Sequence, residues 1–198
     1  MRACTQIWFI FFYFLLYIIL IIVVLLILFI ISVYNSLVTL RQRVKNAFGQ
    51  MDVQLQRRFD LIPNLVETVK GYMTHESDTL AKVTELRTAW AGAKTVDEKA
   101  KLDNELSNTL KTIMAVAEAY PDLKANQNFE SLQNELTETE DKISYSRQFY
   151  NDTVTKYNTK LELFPSNIVA GMFHFTAESL FEVDSAEARK NVKVDFNK

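Results

Sequence analysis

The sequence is poor in residues that break helices and in residues that hold metals. It has 4 Gly and 3 Pro in 198 residues. That argues against an all-β fold, which needs a turn about every ten residues, and against glycine loops that cradle phosphate. A single Cys excludes an intrachain disulfide framework and any cysteine-based zinc or iron–sulfur centre. Two His leave little for a histidine-ligated metal. A formal net charge of −2 gives no global electrostatic case for binding nucleic acid. These absences point to a helical, non-catalytic protein.

Charge is also missing locally. No charged side chain lies between Arg2 and Arg41, and Ile7 to Ile31 is an unbroken run of 25 apolar or aromatic residues. As a helix this run measures about 38 Å, longer than the ~30 Å hydrocarbon core of a bilayer, so it spans with some tilt. A cleaved signal peptide has an apolar region of only about 7–15 residues and a small-x-small site after it. Ser32-Val33-Tyr34 is a poor match to such a site. Residues 1–33 are therefore read as an uncleaved anchor. Trp8, Tyr13 and Tyr17 crowd its first half as an interfacial belt would. Cys4 precedes the run, so it is not a lipoprotein acceptor. Arg41, Arg43, Lys45, Arg57 and Arg58 follow the span, against Arg2 before it. Positive charge therefore favours the cytoplasm for everything after the span.

Beyond the anchor, apolar residues recur at helical spacing. Leu37, Leu40, Val44, Ala47, Met51, Leu55 and Phe59 form one stripe with no breaker between it and the span. Pro63 ends that helix. A second stripe carries Val66, Val69, Met73, Leu80, Val83, Arg87 and Trp90. Thr95-Val96-Asp97-Glu98 matches a capping box opening a third helix with Leu102, Leu106, Leu110, Ile113, Ala117 and Tyr120. Pro121 breaks the chain again. A fourth stripe runs through Phe129, Leu132, Leu136, Ile143, Tyr150, Val154, Tyr157, Leu161 and Phe164, reaching about 55 Å at 1.5 Å per residue. The fold class is all-α: an N-terminal transmembrane helix followed by an elongated antiparallel four-helix bundle. The expected divisions are the anchor at 1–33, the bundle at 34–164 and a partly disordered tail at 165–198. The tail's last part, Glu182 to Lys198, is charged.

Several segments carry a resemblance. They are Gln54-Leu-Gln-Arg-Arg-Phe-Asp-Leu-Ile-Pro-Asn-Leu-Val-Glu-Thr-Val-Lys-Gly-Tyr72 followed by His75-Glu76, Ala117-Glu-Ala-Tyr-Pro-Asp-Leu-Lys-Ala-Asn126, Leu136-Thr-Glu-Thr-Glu-Asp141, Tyr150-Asn151, Tyr157-Asn158 and Phe164-Pro-Ser-Asn167. In this order and spacing they resemble the signature of the LemA family over about residues 34–175. The resemblance implies a bacterial protein of the inner (cell) membrane, single-pass, with a helical bundle and no established reaction. Some members carry a lipoprotein signal instead of a span, which implies an exported bundle and conflicts with the positive-inside reading. No cysteine precedes Tyr34-Asn35 here. Gene neighbourhoods in the family imply a membrane metalloprotease as a partner.

Catalytic patterns are weak by comparison. His75-Glu76 is half of a zincin helix, but Thr79 stands where the second histidine belongs. His174 has no partner motif. Glu138, Glu140 and Asp141 read as a solvated face rather than an acid–base pair. There is no nucleophile elbow and no phosphate loop. No catalytic residue, metal or cofactor is expected. Asn64, Asn126 and Asn167 lie near prolines, where Asn satisfies spare backbone groups. Arg57-Arg58 is read as a clamp on the first corner, paired with Asp60 or with helix ends, in preference to a phosphate-binding site.

Two functional readings remain. The first is a scaffold or adaptor that docks other membrane or envelope proteins, or a second copy of itself. The second is a lipid-surface or small-ligand binding module using the basic juxtamembrane helix and the aromatic tail. In either, the candidate lipid or partner contacts are Arg41, Arg43, Lys45, Arg57 and Arg58, since residues 41–60 hold five Lys/Arg against two Asp.

Overall fold

The computed structural model describes residues 2–73 and 75–182, with side chains from residue 13 onward. The expectations for the Cys4 and Trp8 side chains and for the charged segment beyond Glu182 lie outside what the structure describes. Among the described residues, helices α1 (Arg2–Asp60), α2 (Ile62–Lys70), α3 (Ser77–Gly92), α4 (Val96–Ala117), α5 (Pro121–Lys124), α6 (Gln127–Glu162) and α7 (Ser166–Met172) follow one another without a strand.

The apolar run and the first stripe share one helix, as the lack of a breaker predicts. Along α1, the side chains from Tyr13 to Leu28 are all exposed and apolar, and none of this stretch is buried in the protein. A helix that is apolar on every side is stable against lipid, not water. From Val33 the pattern narrows to a single face: Val33, Leu37, Val44, Ala47, Met51, Leu55 and Phe59 are buried, with Leu40 half-buried at its edge.

The described residues divide into two compact units, one of residues 2–44 with 155–178 and one of residues 45–154 with 179–182. In the first, Val33 and Leu37 of α1 form a small core with Val169 and Ala170 of α7, and Ile30, Leu161 and Phe175 pack around it. The Tyr34 ring lies 4.8 Å from Phe173 and 5.7 Å from Phe175. In the second, α2 packs on α3 and α3 on α4. Phe59 stacks on Trp90 with ring centroids 4.3 Å apart, and the Trp90 indole donates to Gln56 Oε1.

In the helical framework the sequence reading departs from the structure at several places. The second predicted helix is two helices. The chain turns between Lys70 and Ser77, and this turn is tied down when Asn126 Nδ2 donates to the Tyr72 hydroxyl and Tyr120 donates to the Glu76 carboxylate. Met73 and Leu80 are seven residues apart, so their spacing carries no sign of the break. In α4 the buried face is Ala100, Asp103, Leu106, Leu110, Ile113 and Ala117, so a carboxylate takes the core position expected for Leu102. Phe164, the end of the fourth stripe, is 78% exposed, because α6 stops at Glu162 and the corner turns it outward.

The predicted capping box is formed. Thr95 Oγ1 accepts the Glu98 N–H, and the Glu98 carboxylate accepts the N–H groups of Lys94 and Thr95. Those two donors hold the Glu98 carboxyl below its usual pKa. Asn126 caps α6 in the expected manner, its Oδ1 accepting from Asn128 and Phe129.

Candidate functional site

The five basic candidates separate. Arg41, Arg43, Lys45 and Arg57 are exposed on α1. The Arg41 guanidinium lies 5.1 Å from the Phe175 ring centroid, a cation–π contact. Arg58 is buried, and its partner is not Asp60, which accepts from Gln56 instead. Arg58 Nη1 lies 2.9 Å from Asp103 and 2.8 Å from Glu140, and it donates to Ser107. The reason is register: Arg58 follows Leu55 by three residues and so lies on the inward edge of the stripe, leaving Arg57 to face water. A guanidinium spent on two carboxylates inside the packing is not a lipid contact. Burial pushes the Asp103 carboxyl above its usual pKa; the nearby Glu140 charge adds to this, and Arg58 and Arg147 oppose it. The acidic triplet on α6 is thus only partly a solvated face: Glu138 pairs with Lys142, while Glu140 serves Arg58.

Within the second unit, α1 and α6 leave an open groove of about 590 Å³ lined by Gln50, Val53 and Gln54 on one side and Asp141, Lys142, Tyr145 and Ser146 on the other. Val53 and Tyr145 are 63% and 77% exposed. Gln54 Oε1 is buried there without a hydrogen-bond partner. Two exposed apolar side chains, Val53 and Tyr145, and one unsatisfied acceptor thus share this groove with charged and polar neighbours.

The Tyr-Asn pairs, seven residues apart on α6, act alike. Asn158 Nδ2 donates to the Glu178 carbonyl and its Oδ1 accepts the Glu178 N–H, while Tyr157 donates to the Thr176 carbonyl. Asn151 grips Phe181 by the same two bonds, and Tyr150 donates to the Ser179 carbonyl. Burial raises the Tyr157 phenol pKa. Sequence reasoning noted these pairs without giving them a role. It also missed Asp103, although a carboxylate at core spacing on a helix is a readable signal.

Among the described residues no cluster of His, Cys, Asp and Glu has the makings of a metal site. The arrangement is that of a membrane-associated protein that is all-helical over the described residues. The profile of the LemA family matches residues 47–196, and the chain belongs to that family. It is similar to Protein LemA of Metamycoplasma hominis, with 25% identity over 155 residues, 77% of this chain and 70% of that protein. It is also similar to Magnetosome protein MamQ 2 of Paramagnetospirillum magneticum, at 25% identity over 175 residues. Magnetosome protein MamQ of Magnetospirillum gryphiswaldense matches at 21% over 174 residues. Each magnetosome match covers 75% of this chain and 64% of the relative, so this chain spans under two thirds of those proteins' length.

Proposed function

We propose that this protein is a non-catalytic scaffold, held in the bacterial inner membrane by α1, that docks a helix of another membrane or envelope protein, or of a second copy, in the α1–α6 groove. The carrying observation is the groove itself: exposed Val53 and Tyr145 beside the unpartnered Gln54 Oε1. A membrane metalloprotease is one partner consistent with the family resemblance, and the basic residues after the span favour the cytoplasmic side. The test is photo-crosslinking in cells from an aryl-ketone residue at position 145. A discrete adduct that disappears with Val53→Lys supports docking; an unchanged adduct pattern with Val53→Lys, or none, removes the reading. Protease treatment of spheroplasts and of inverted vesicles, followed by a C-terminal tag, fixes the side. Cutting in spheroplasts places the partner in the envelope and overturns the positive-inside assignment.

A lipid-surface role has its own support in the exposed apolar corner between α6 and α7.

A further inference from the structure

We propose that the α6–α7 corner is a second membrane contact, a wedge that enters the same leaflet as the C-terminal end of the α1 span. The inference rests on the membrane association of α1. Leu163, Phe164, Ile168, Met172 and Phe173 are between 48% and 78% exposed. Five large apolar side chains in eleven residues are costly to leave in water when they form one patch.

The other face of the same corner says what covers them. Val169 and Ala170 pack against Val33 and Leu37, with Ile30 at the edge of that cluster. Ile30 belongs to the apolar run that ends at Ile31. The corner is therefore level with the end of the span, where hydrocarbon gives way to headgroups. On α7, Ile168 and Met172 are four residues apart and share the outward face, while Val169 and Ala170 point inward. No Asp, Glu, Lys or Arg occurs from Leu163 to Ala177, so the wedge carries no formal charge into the acyl region. Tyr34, Phe173 and Phe175 form an aromatic group beside the end of the span, and the Arg41 guanidinium sits over the Phe175 ring on the side away from the apolar run. An uncharged apolar tip, an aromatic collar and a basic rim make up the composition of an interfacial membrane element.

The test uses the full chain with Cys4→Ser, reconstituted in phosphatidylcholine–phosphatidylglycerol vesicles. Nitroxide labels are placed singly through Phe164→Cys, Ile168→Cys, Leu26→Cys in the span and Lys156→Cys on exposed α6. Collision rates with oxygen and with a water-soluble nickel chelate are then read at each label. The expected result is that positions 164 and 168 match position 26, with oxygen access and nickel exclusion, while position 156 shows the reverse. Nickel access at 164 and 168 equal to that at 156 overturns the wedge. Shielding from both reagents also overturns it, because the patch is then covered by protein. If position 26 itself is open to nickel, the reading of α1 as a span fails; if only 164 and 168 are open, the wedge alone fails.

Discussion

Asn158 holds Glu178 by both sides of its peptide, with Nδ2 donating to the carbonyl at 2.9 Å and Oδ1 accepting the N–H at 3.0 Å. Asn158→Ala removes both bonds. The expected cost is about 1–2 kcal/mol, a 5–30-fold rise in local opening. Hydrogen–deuterium exchange over residues 176–182 reads it directly. Asn151→Ala should produce the same rise at the Phe181 amide and leave the Glu178 amide unchanged. A uniform effect from either variant would mean that the clamps are not local.

Arg58→Met leaves the buried Asp103 beside Glu140 without its hydrogen-bonded guanidinium, with only the charge of Arg147 still opposing. Breaking a buried pair in this way costs about 3–5 kcal/mol, and Arg58→Met with Asp103→Leu should recover most of it. The Asp103 pKa is already raised by burial. A raised carboxyl contributes stability below its unfolded pKa and loses it as pH climbs through the folded one. Without Arg58 that loss deepens, so urea melts should show the single variant's deficit shrinking as pH falls. A deficit independent of pH would remove Asp103 as its source.

The capping box at the start of α4 should behave as a unit. Thr95→Ala is expected to cost about 1 kcal/mol in thermal or urea unfolding. Glu98 carries the pH dependence: its carboxyl is held below the ordinary value of 4.5. Its contribution is present above that value and is lost as pH drops through the lowered one. Glu98→Gln should therefore flatten the acid limb of the stability curve relative to the parent chain; an identical limb would show that the carboxylate is not engaged in solution.

His174 has φ 54°, in the left-handed region. The Phe175 N–H reaches the Ala170 carbonyl and the His174 N–H reaches that of Gly171, which is a Schellman ending to α7 with histidine where glycine is preferred. His174→Gly should stabilise the chain by about 1 kcal/mol, because the left-handed conformation then carries no Cβ penalty. A melting temperature that falls instead would show that the imidazole makes a contact outweighing the strain.

Much of the helical framework could be read from spacing. Val44, Ala47, Met51, Leu55 and Phe59 recur with helical period and are all buried, and the hydroxyl–carboxylate pair at Thr95 and Glu98 caps as its offset predicts. Contacts fixed by partners far along the chain could not be read that way. Arg57 and Arg58 look alike in sequence, and only the rotation of α1 sends one to water and the other to Asp103, 45 residues on. Phe164 fits a heptad seam by count, but the end of α6 at Glu162 turns it outward. The Tyr-Asn pairs need an extended segment 19–30 residues away before their role exists.

The asparagine clamps read main chain, not side chains, so tolerance to substitution falls unequally on their two sides. Ala177, Ser179 and Leu180 are exposed, and the Tyr and Asn side chains that hold this stretch bond only its peptide groups. In a saturation library these three positions should accept most replacements short of proline. Asn151 and Asn158 should reject even Gln, whose extra methylene displaces both ends of the amide at once. Phe181 should side with the asparagines, because its ring is buried. The imprint of the contact on a library would thus fall on the helix that does the gripping, and would leave the gripped segment almost unmarked.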